Sequence, residues 1–182
     1  MKLKGEKISL RPIQESDFED LVAWSNDSEI NSYSEGDYPL TLSECHQWLK
    51  RSKSNRYQER FAIELNKELI GDIELDHITW RSGDAELRIR IGKKVLWDKG
   101  YGTDSVRTLL AFAFLNLNLS RVYLRVYADN HRAIRCYEKV GFKKEGRLRR
   151  STENNEGFRE ILLMRILKDE FLRRNDRIKK AS

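Results

Sequence analysis

The sequence predicts one α/β domain built on a mixed β-sheet with helices on both faces. Three observations carry this reading. Elements follow the order strand, two helices, three strands, helix, strand, helix, two strands. The three central strands are joined by turns short enough only for hairpins. No repeat, low-complexity block or Pro/Gly/Ser linker interrupts the chain. At 182 residues, 39% hydrophobic and 35% charged, there is room for one core, expected over 1–167, followed by a basic tail over 168–182.

The segment KISLRPI (7–13) alternates and predicts the first strand. Ser16 stands three residues before Glu19, a capping-box spacing, and Phe18, Leu21, Val22 and Trp24 recur at helical intervals to about Asn26. A polar loop over 28–38 follows. Thr41 and Glu44 repeat the capping spacing ahead of a helix with Trp48 and Leu49. Strands are predicted over 60–65, 69–78 and 85–91, with turns at Asn66 and Lys67 and over 81–83. Val106, Leu109, Leu110, Ala113, Phe114 and Leu117 trace an amphipathic helix over 103–116. RVYLRVY (121–127) is a strand by β-branched and aromatic content. Asn130 caps a helix to Val140, ended by Gly141. Segments 142–148 and 158–167 read as a closing hairpin across a polar turn, and the tail as a helix candidate.

Composition narrows the function. Cys45 and Cys136 are too few and too far apart for a disulfide framework or zinc cluster, and His46, His77 and His131 lack ligand spacing, so no metal is expected. No apolar leader or stretch of about 20 apolar residues occurs, so a cytoplasmic protein without a membrane span is expected. Charge is split: residues 1–86 carry 11 basic and 18 acidic side chains, residues 87–182 carry 24 and 11. The basic half suits an anionic ligand. Neither 147–150 nor 173–180 comes with a nucleic-acid motif or aromatic stacking strip, so no nucleic-acid partner is expected.

The stretch WDKGYGTDS (97–105) is the most informative. Gly100 and Gly102 permit positive φ and close approach of a ligand to the backbone, and the start of the following helix offers unpaired N–H groups to an anion such as a pyrophosphate. A simple turn would share the GxG pattern. A dinucleotide fingerprint lacks its third glycine and its parallel strand, and a Walker loop lacks its Gly-Lys-Ser/Thr.

Three linked pieces, AELRIRIG (85–92), WDKGYGT (97–103) and NHRAIRCYEKVGF (130–142), resemble the GNAT N-acetyltransferases, in particular the bacterial group with ribosomal-protein and spermidine N-acetyltransferases. The resemblance runs from RPIQESDFEDL (11–21) to EILLMRI (160–166). It implies the acyl-CoA N-acyltransferase fold, a central mixed sheet whose fourth and fifth strands splay, with acetyl-CoA as cosubstrate. It further implies that Ile89, Arg90 and Ile91 offer backbone groups to the pantetheine arm. Trp97, Asp98, Lys99, Gly100, Tyr101, Gly102 and Thr103 would hold the diphosphate. Asn130 would contact pantetheine, and Tyr137 would protonate the leaving thiolate. Trp97 stands where the family commonly has Gln or Arg. Lys93, Lys94, Lys99 and Arg132 fall where phosphates would be near. Glu86 matches the glutamate of the polyamine enzymes and is the candidate base; a surface Glu on a strand is the competing reading, as a core aromatic is for Tyr137. Cys136 is expected to face away from Tyr137 as a structural thiol.

Acceptor choice in this family lies in the first two helices and the loop between them. There Asp27, Glu29, Glu35, Asp37 and Glu44, with Glu74, Asp76 and Asp84 on the strands, would gather a cationic amine, and Glu35, Asp37 and Glu74 are the candidate substrate contacts. The resemblance thus implies an acetyl-CoA-dependent N-acetyltransferase with a polyamine such as spermidine as first acceptor choice. Peptide N-termini and amino sugars stay open, as does a non-catalytic acyl-CoA-binding module. Fold relatives imply a homodimer or higher homo-oligomer.

Overall fold

The computed structural model describes residues 1–34, 36–151 and 157–181, and the side chains of all of these except 151 and 177–181. The expected turn over 152–156 and candidate Glu35 lie outside the described residues. Strands are β1 Leu3–Lys4, β2 Ser9–Arg11, β3 Glu59–Leu65, β4 Glu68–Thr79, β5 Asp84–Ile91, β6 Arg121–Tyr127, β7 Lys143–Ser151 and β8 Phe158–Leu167. Helices are α1 Phe18–Asn26, α2 Ser28–Tyr33, α3 Leu42–Ser54, α4 Tyr101–Ala111, α5 His131–Val140 and α6 Lys168–Ala181. The strands form one sheet in the order β1-β2-β3-β4-β5-β6-β8-β7.

Every neighbouring pair is antiparallel except β5 and β6, which run parallel and are joined through α4. Their ladder has three rows only: Asp84 with Arg121, Ala85 with Val122, and Glu86 with Tyr123. Beyond Glu86 the strands diverge, while β5 stays paired to β4 as far as Ile91 with Gly71. The expected splay therefore falls between β5 and β6, the count raised by one by the unforeseen β1.

The sheet separates two cores. On one side Leu10, Phe61, Ile63, Ile73, Leu75 and Leu87 cluster with Val106, Leu109 and Leu110 of α4 and Ile134, Tyr137 and Val140 of α5. On the other, Ala62 and Leu69 meet Phe18, Leu21, Trp24, Ile30, Cys45 and Trp48 from α1, α2 and α3. Gly92 exists for this second core: a Cβ there would lie 1.9 Å from the Trp24 ring.

Local departures have local causes. The first strand shrinks to Ser9–Arg11 because the N–H groups of Glu6, Lys7 and Ile8 bond the Asp104 carboxylate at 3.1, 2.7 and 3.0 Å. Ahead of α1 the chain makes a 3-10 turn over Glu15–Asp17. The capping carboxylate there is Asp17, taking Gln14 N–H at 2.8 Å and gripped by Arg11 at 2.7 and 2.8 Å; Glu19 is not the cap. The polar loop over 28–38 contains α2, whose cap Asp27 accepts from Glu29 and Ile30 N–H at 3.0 and 3.1 Å. The helix expected from 103 starts at Tyr101 and passes into a π turn over Phe112–Asn116. Thr41 caps α3 as expected, and the turn at Asn66 and Lys67 has φ of 50 and 68°, the paired positive values of a type I′ hairpin. Among the described residues no helix is long and apolar enough to cross a membrane.

Candidate active site

The divergence of β5 from β6 opens a cleft of about 200 Å³. Its β5 wall follows from strand alternation. Gly92 N–H donates to Ile70 O at 2.9 Å, so the antiparallel ladder turns the N–H and C=O of Ile91 and Ile89 the other way, into the gap. Arg90, expected to offer its backbone, does not: by the same alternation its N–H and C=O face β4, and its side chain is buried and bonds Asp72 at 3.0 Å and Ser25 at 3.0 Å while lying 4.0 Å from the Tyr38 ring.

At one end lies the loop before α4. Gly100 has φ of +84° and caps the helix, and the first ladder bond is Asp104 N–H to Gly100 O at 3.0 Å. The N–H groups of Tyr101, Gly102 and Thr103 precede that ladder. Gly102 does not use the positive φ open to it. A Cβ there would meet only Cys136 Sγ at 3.8 Å and Ile91 Cγ1 at 3.9 Å, ordinary contacts, so the fold does not require this glycine. The space a larger side chain would fill is the cleft itself.

Trp97 is built into the cleft by two contacts. Its indole N–H donates to Ile91 O at 2.8 Å, and the Arg132 guanidinium lies 3.5 Å from its ring centroid. Arg132 is thereby held against the loop as a cation lining the cleft. Lys93 and Lys94 turn elsewhere: Lys93 pairs with Glu68 at 2.8 Å, Lys94 with Asp27 and Glu29 at 2.9 and 2.7 Å.

Tyr137 projects from α5 into the cleft and is almost fully buried, its ring 5.7 Å from Phe142. Burial drives its phenol well above the ordinary value of 10, so it is protonated at neutral pH. Asn130 lines the cleft and caps α5, its Oδ1 accepting Ala133 N–H at 3.2 Å. Cys136 also lines the cleft and accepts from Thr103 Oγ1 at 3.4 Å, correcting the expectation that it faces away; burial raises its thiol.

Glu86 closes the vertex of the splay. Its carboxylate is buried and takes Arg88 Nη2 at 3.0 Å and Arg125 Nε at 2.8 Å, one from each diverging strand, with His77 Nδ1 at 3.4 Å. It does not line the cleft, whereas Arg88 and Arg125 do.

Of the candidate residues, Ile89, Arg90, Ile91, Trp97, Asp98, Gly100, Tyr101, Gly102, Thr103, Asn130, Arg132 and Tyr137 are brought together. Lys99 stays outside, its carbonyl accepting from Lys7 Nζ at 3.3 Å. Asp37 and Glu74 stay outside too. Glu74 is buried against Arg60 at 2.5 Å and Arg88 at 3.4 Å; burial pushes its carboxyl up against the pull of both arginines. The field expected from the acidic half is largely compensated, with Asp27, Glu29, Asp37, Glu74, Asp76 and Asp84 each beside a basic side chain. Ile30 and Tyr33 of α2 and Ser34 just after it line the cleft unforeseen, and Asp27 as a cap was the signal that could have found them.

The gap-facing edge of β5, the free first turn of α4 and the open space over Gly102 fit the arm and diphosphate of coenzyme A. A GNAT acetyltransferase domain model matches residues 7–143. Spermidine N(1)-acetyltransferase of Vibrio cholerae is 28% identical over 173 residues, covering 94% of this chain and 99% of that protein. The crystal structure of spermidine N-acetyltransferase from Vibrio cholerae with CoA and spermine superposes with a TM-score of 0.82 at 28% identity, over 91% of this chain and 98% of that one. A dodecameric structure from the same organism gives a TM-score of 0.78 at 26% identity, over 92% and 98%. The splayed strands, the loop before α4 and these likenesses together place the chain in the GNAT acetyltransferase family, as an acetyl-CoA-dependent N-acetyltransferase.

Proposed function

We propose that the cleft transfers acetyl to the primary amine of a polyamine such as spermidine, by direct attack with both substrates bound. The observation that supports this site is the convergence of Tyr137, the gap-facing edge of Ile89 and Ile91, and the Gly102 space on one cleft. When bound, acetyl-CoA supplies the acetyl thioester. The backbone of Ile89 and Ile91 would orient the arm, and the first turn of α4 with Arg132 would hold the diphosphate. Tyr137 Oη, neutral because buried, would give a proton to the departing sulfur as the carbon–sulfur bond breaks. Glu86 would take the proton that the attacking ammonium must lose. To do so it must release Arg88 or Arg125, since both oxygens are engaged.

The polyamine acceptor rests on the likeness to spermidine N-acetyltransferase of Vibrio cholerae, whose crystal structure is a complex with CoA and spermine. A second reading, the α-amine of a peptide, is favoured by the cleft lining: Asp98 is its one carboxylate among the described residues, beside Arg88, Arg125, Arg132 and Arg135. Thiol release from acetyl-CoA with spermidine, spermine, peptides and amino sugars, each against a no-acceptor control, tests both. Turnover with spermidine supports the first reading; turnover restricted to peptides overturns it. A homo-oligomer is proposed from the dodecameric relative, and light scattering giving a monomer mass would refute it.

A further inference from the structure

The α2 helix has six residues, too few to persist in water without tertiary support. Ile30 buries one side of it in the second core. The rest is held at two places. Near its first turn, Lys94 Nζ reaches Asp27 Oδ2 at 2.9 Å and Glu29 Oε2 at 2.7 Å. Lys94 follows β5 and immediately precedes the loop of Trp97 to Thr103. Near its last turn, Arg159 Nη1 donates to Ser32 O at 2.7 Å. The same guanidinium lies 3.6 Å from the Tyr127 ring centroid and 5.6 Å from that of Tyr33, and its Nη2 bonds the Asp129 carboxylate at 3.1 and 3.3 Å. Tyr127 ends β6, and Asp129 directly precedes Asn130.

Thus α2 is tied on the β5 side at one end and on the β6 side at the other, with Ile30 lining the cleft between the two ties and Tyr33 and Ser34 lining it just past the second. We propose that Lys94 and Arg159 are positioning residues for the acceptor amine, setting the α2 wall by tying it to the two segments that flank the cofactor. The inference rests on the acetyl-transfer reading of the cleft. Neither residue lines the cleft, so each acts through α2. Occupancy of the gap steadies the two flanking segments and, through the ties, the acceptor wall. Coenzyme A and acceptor should then favour each other's binding by the same factor.

The test uses Lys94→Met, Arg159→Met and the double variant of the full chain. Both side chains are partly exposed, and an unchanged melting temperature within a few degrees certifies the fold. For the amine turned over by the wild type, the acceptor KM is expected to rise roughly fivefold to tenfold in the double variant. The expected kcat and coenzyme A Kd stay within about twofold of wild type, a split that general loss of stability would not produce. In hydrogen exchange, coenzyme A should slow the amides of 28–34 in the wild type and not in the double variant. An unchanged acceptor KM, or equal protection of 28–34 in both proteins, overturns the proposal. If the wild type acetylates no amine in the panel, the acceptor reading fails, and the exchange result alone decides whether the ties exist.

Discussion

Glu86 Oε1 accepts the Nε–H of Arg125 at 2.8 Å across the point where β5 and β6 part, while Oε2 takes Arg88 at 3.0 Å. One carboxylate thus braces both arms of the splay. The geometry shows Glu86 as a brace, and Glu86→Gln separates that duty from the proposed one of proton acceptor. If Glu86 is the base, kcat falls by at least about tenfold while coenzyme A affinity holds. Wild-type kcat with a lowered melting temperature assigns it to bracing alone. Either way the lost charge-assisted bonds should cost on the order of 2 kcal/mol of stability, measured by urea unfolding.

Tyr137→Phe keeps the ring that packs against Phe142 and removes only the phenolic hydroxyl. Turnover should fall about 100-fold with coenzyme A Kd nearly unchanged. Because burial raises the folded-state value, Tyr137 retains its proton above the ordinary range. Any alkaline loss of kcat due to it should begin above about pH 10. The unfolded chain ionises this tyrosine first, so its contribution to stability is complete below about pH 10 and is lost as pH rises beyond. An alkaline limb in wild-type kcat near pH 8 that vanishes in Tyr137→Phe would contradict this assignment.

The two loop glycines should respond oppositely. Gly100 needs positive φ, so Gly100→Ala is expected to lower stability by about 1 kcal/mol or more. Gly102 has no such need, and Gly102→Val should melt near wild type while weakening coenzyme A in calorimetry by tenfold or more, since the added methyls enter the cleft. Unchanged affinity in Gly102→Val would remove the loop from diphosphate binding.

The C-terminal helix is fastened by Glu170. Its carboxylate takes Leu167 N–H at 3.1 Å, Arg165 at 2.6 Å and Lys143 at 2.7 Å, and Phe171 beside it is buried in the main core. Partial burial opposes its ionisation, but these three donors outweigh that and hold it at about 2. A depressed folded-state value means the stabilisation is complete above about pH 4.5 and lost as pH falls toward 2. Glu170→Gln should therefore lower the melting temperature at pH 7 by a few degrees and converge on wild type near pH 2. A constant gap across that range would place the stabilisation elsewhere.

The elements of this fold were legible because their causes are local. The β-branched and aromatic content of 121–127, the Asn130 cap, the Gly141 stop and the Thr41 cap each involve residues a few positions apart, and all four readings appear in the structure. The linked motifs also sufficed for the family, and they contain much of the cleft lining, though neither Glu86 nor Lys99 belongs to it. Helix α2 was missed because six residues with one buried apolar side chain, Ile30, carry no readable periodicity, and only its Asp27 cap hinted at it. Charge was the main quantity the sequence could not resolve. An acidic stretch reads as a field until its partners are known, and those partners, Lys94, Arg51, Arg60, Arg88 and Arg121, come from distant segments. Glu86 illustrates the limit: sequence placed it at the head of a strand two residues from Arg88, and only the pairing of β5 beside β6 added the Arg125 guanidinium to its carboxylate. Short-range order is written in spacing. The compensation of buried charge depends on which strands become neighbours, and that is decided by tertiary structure alone.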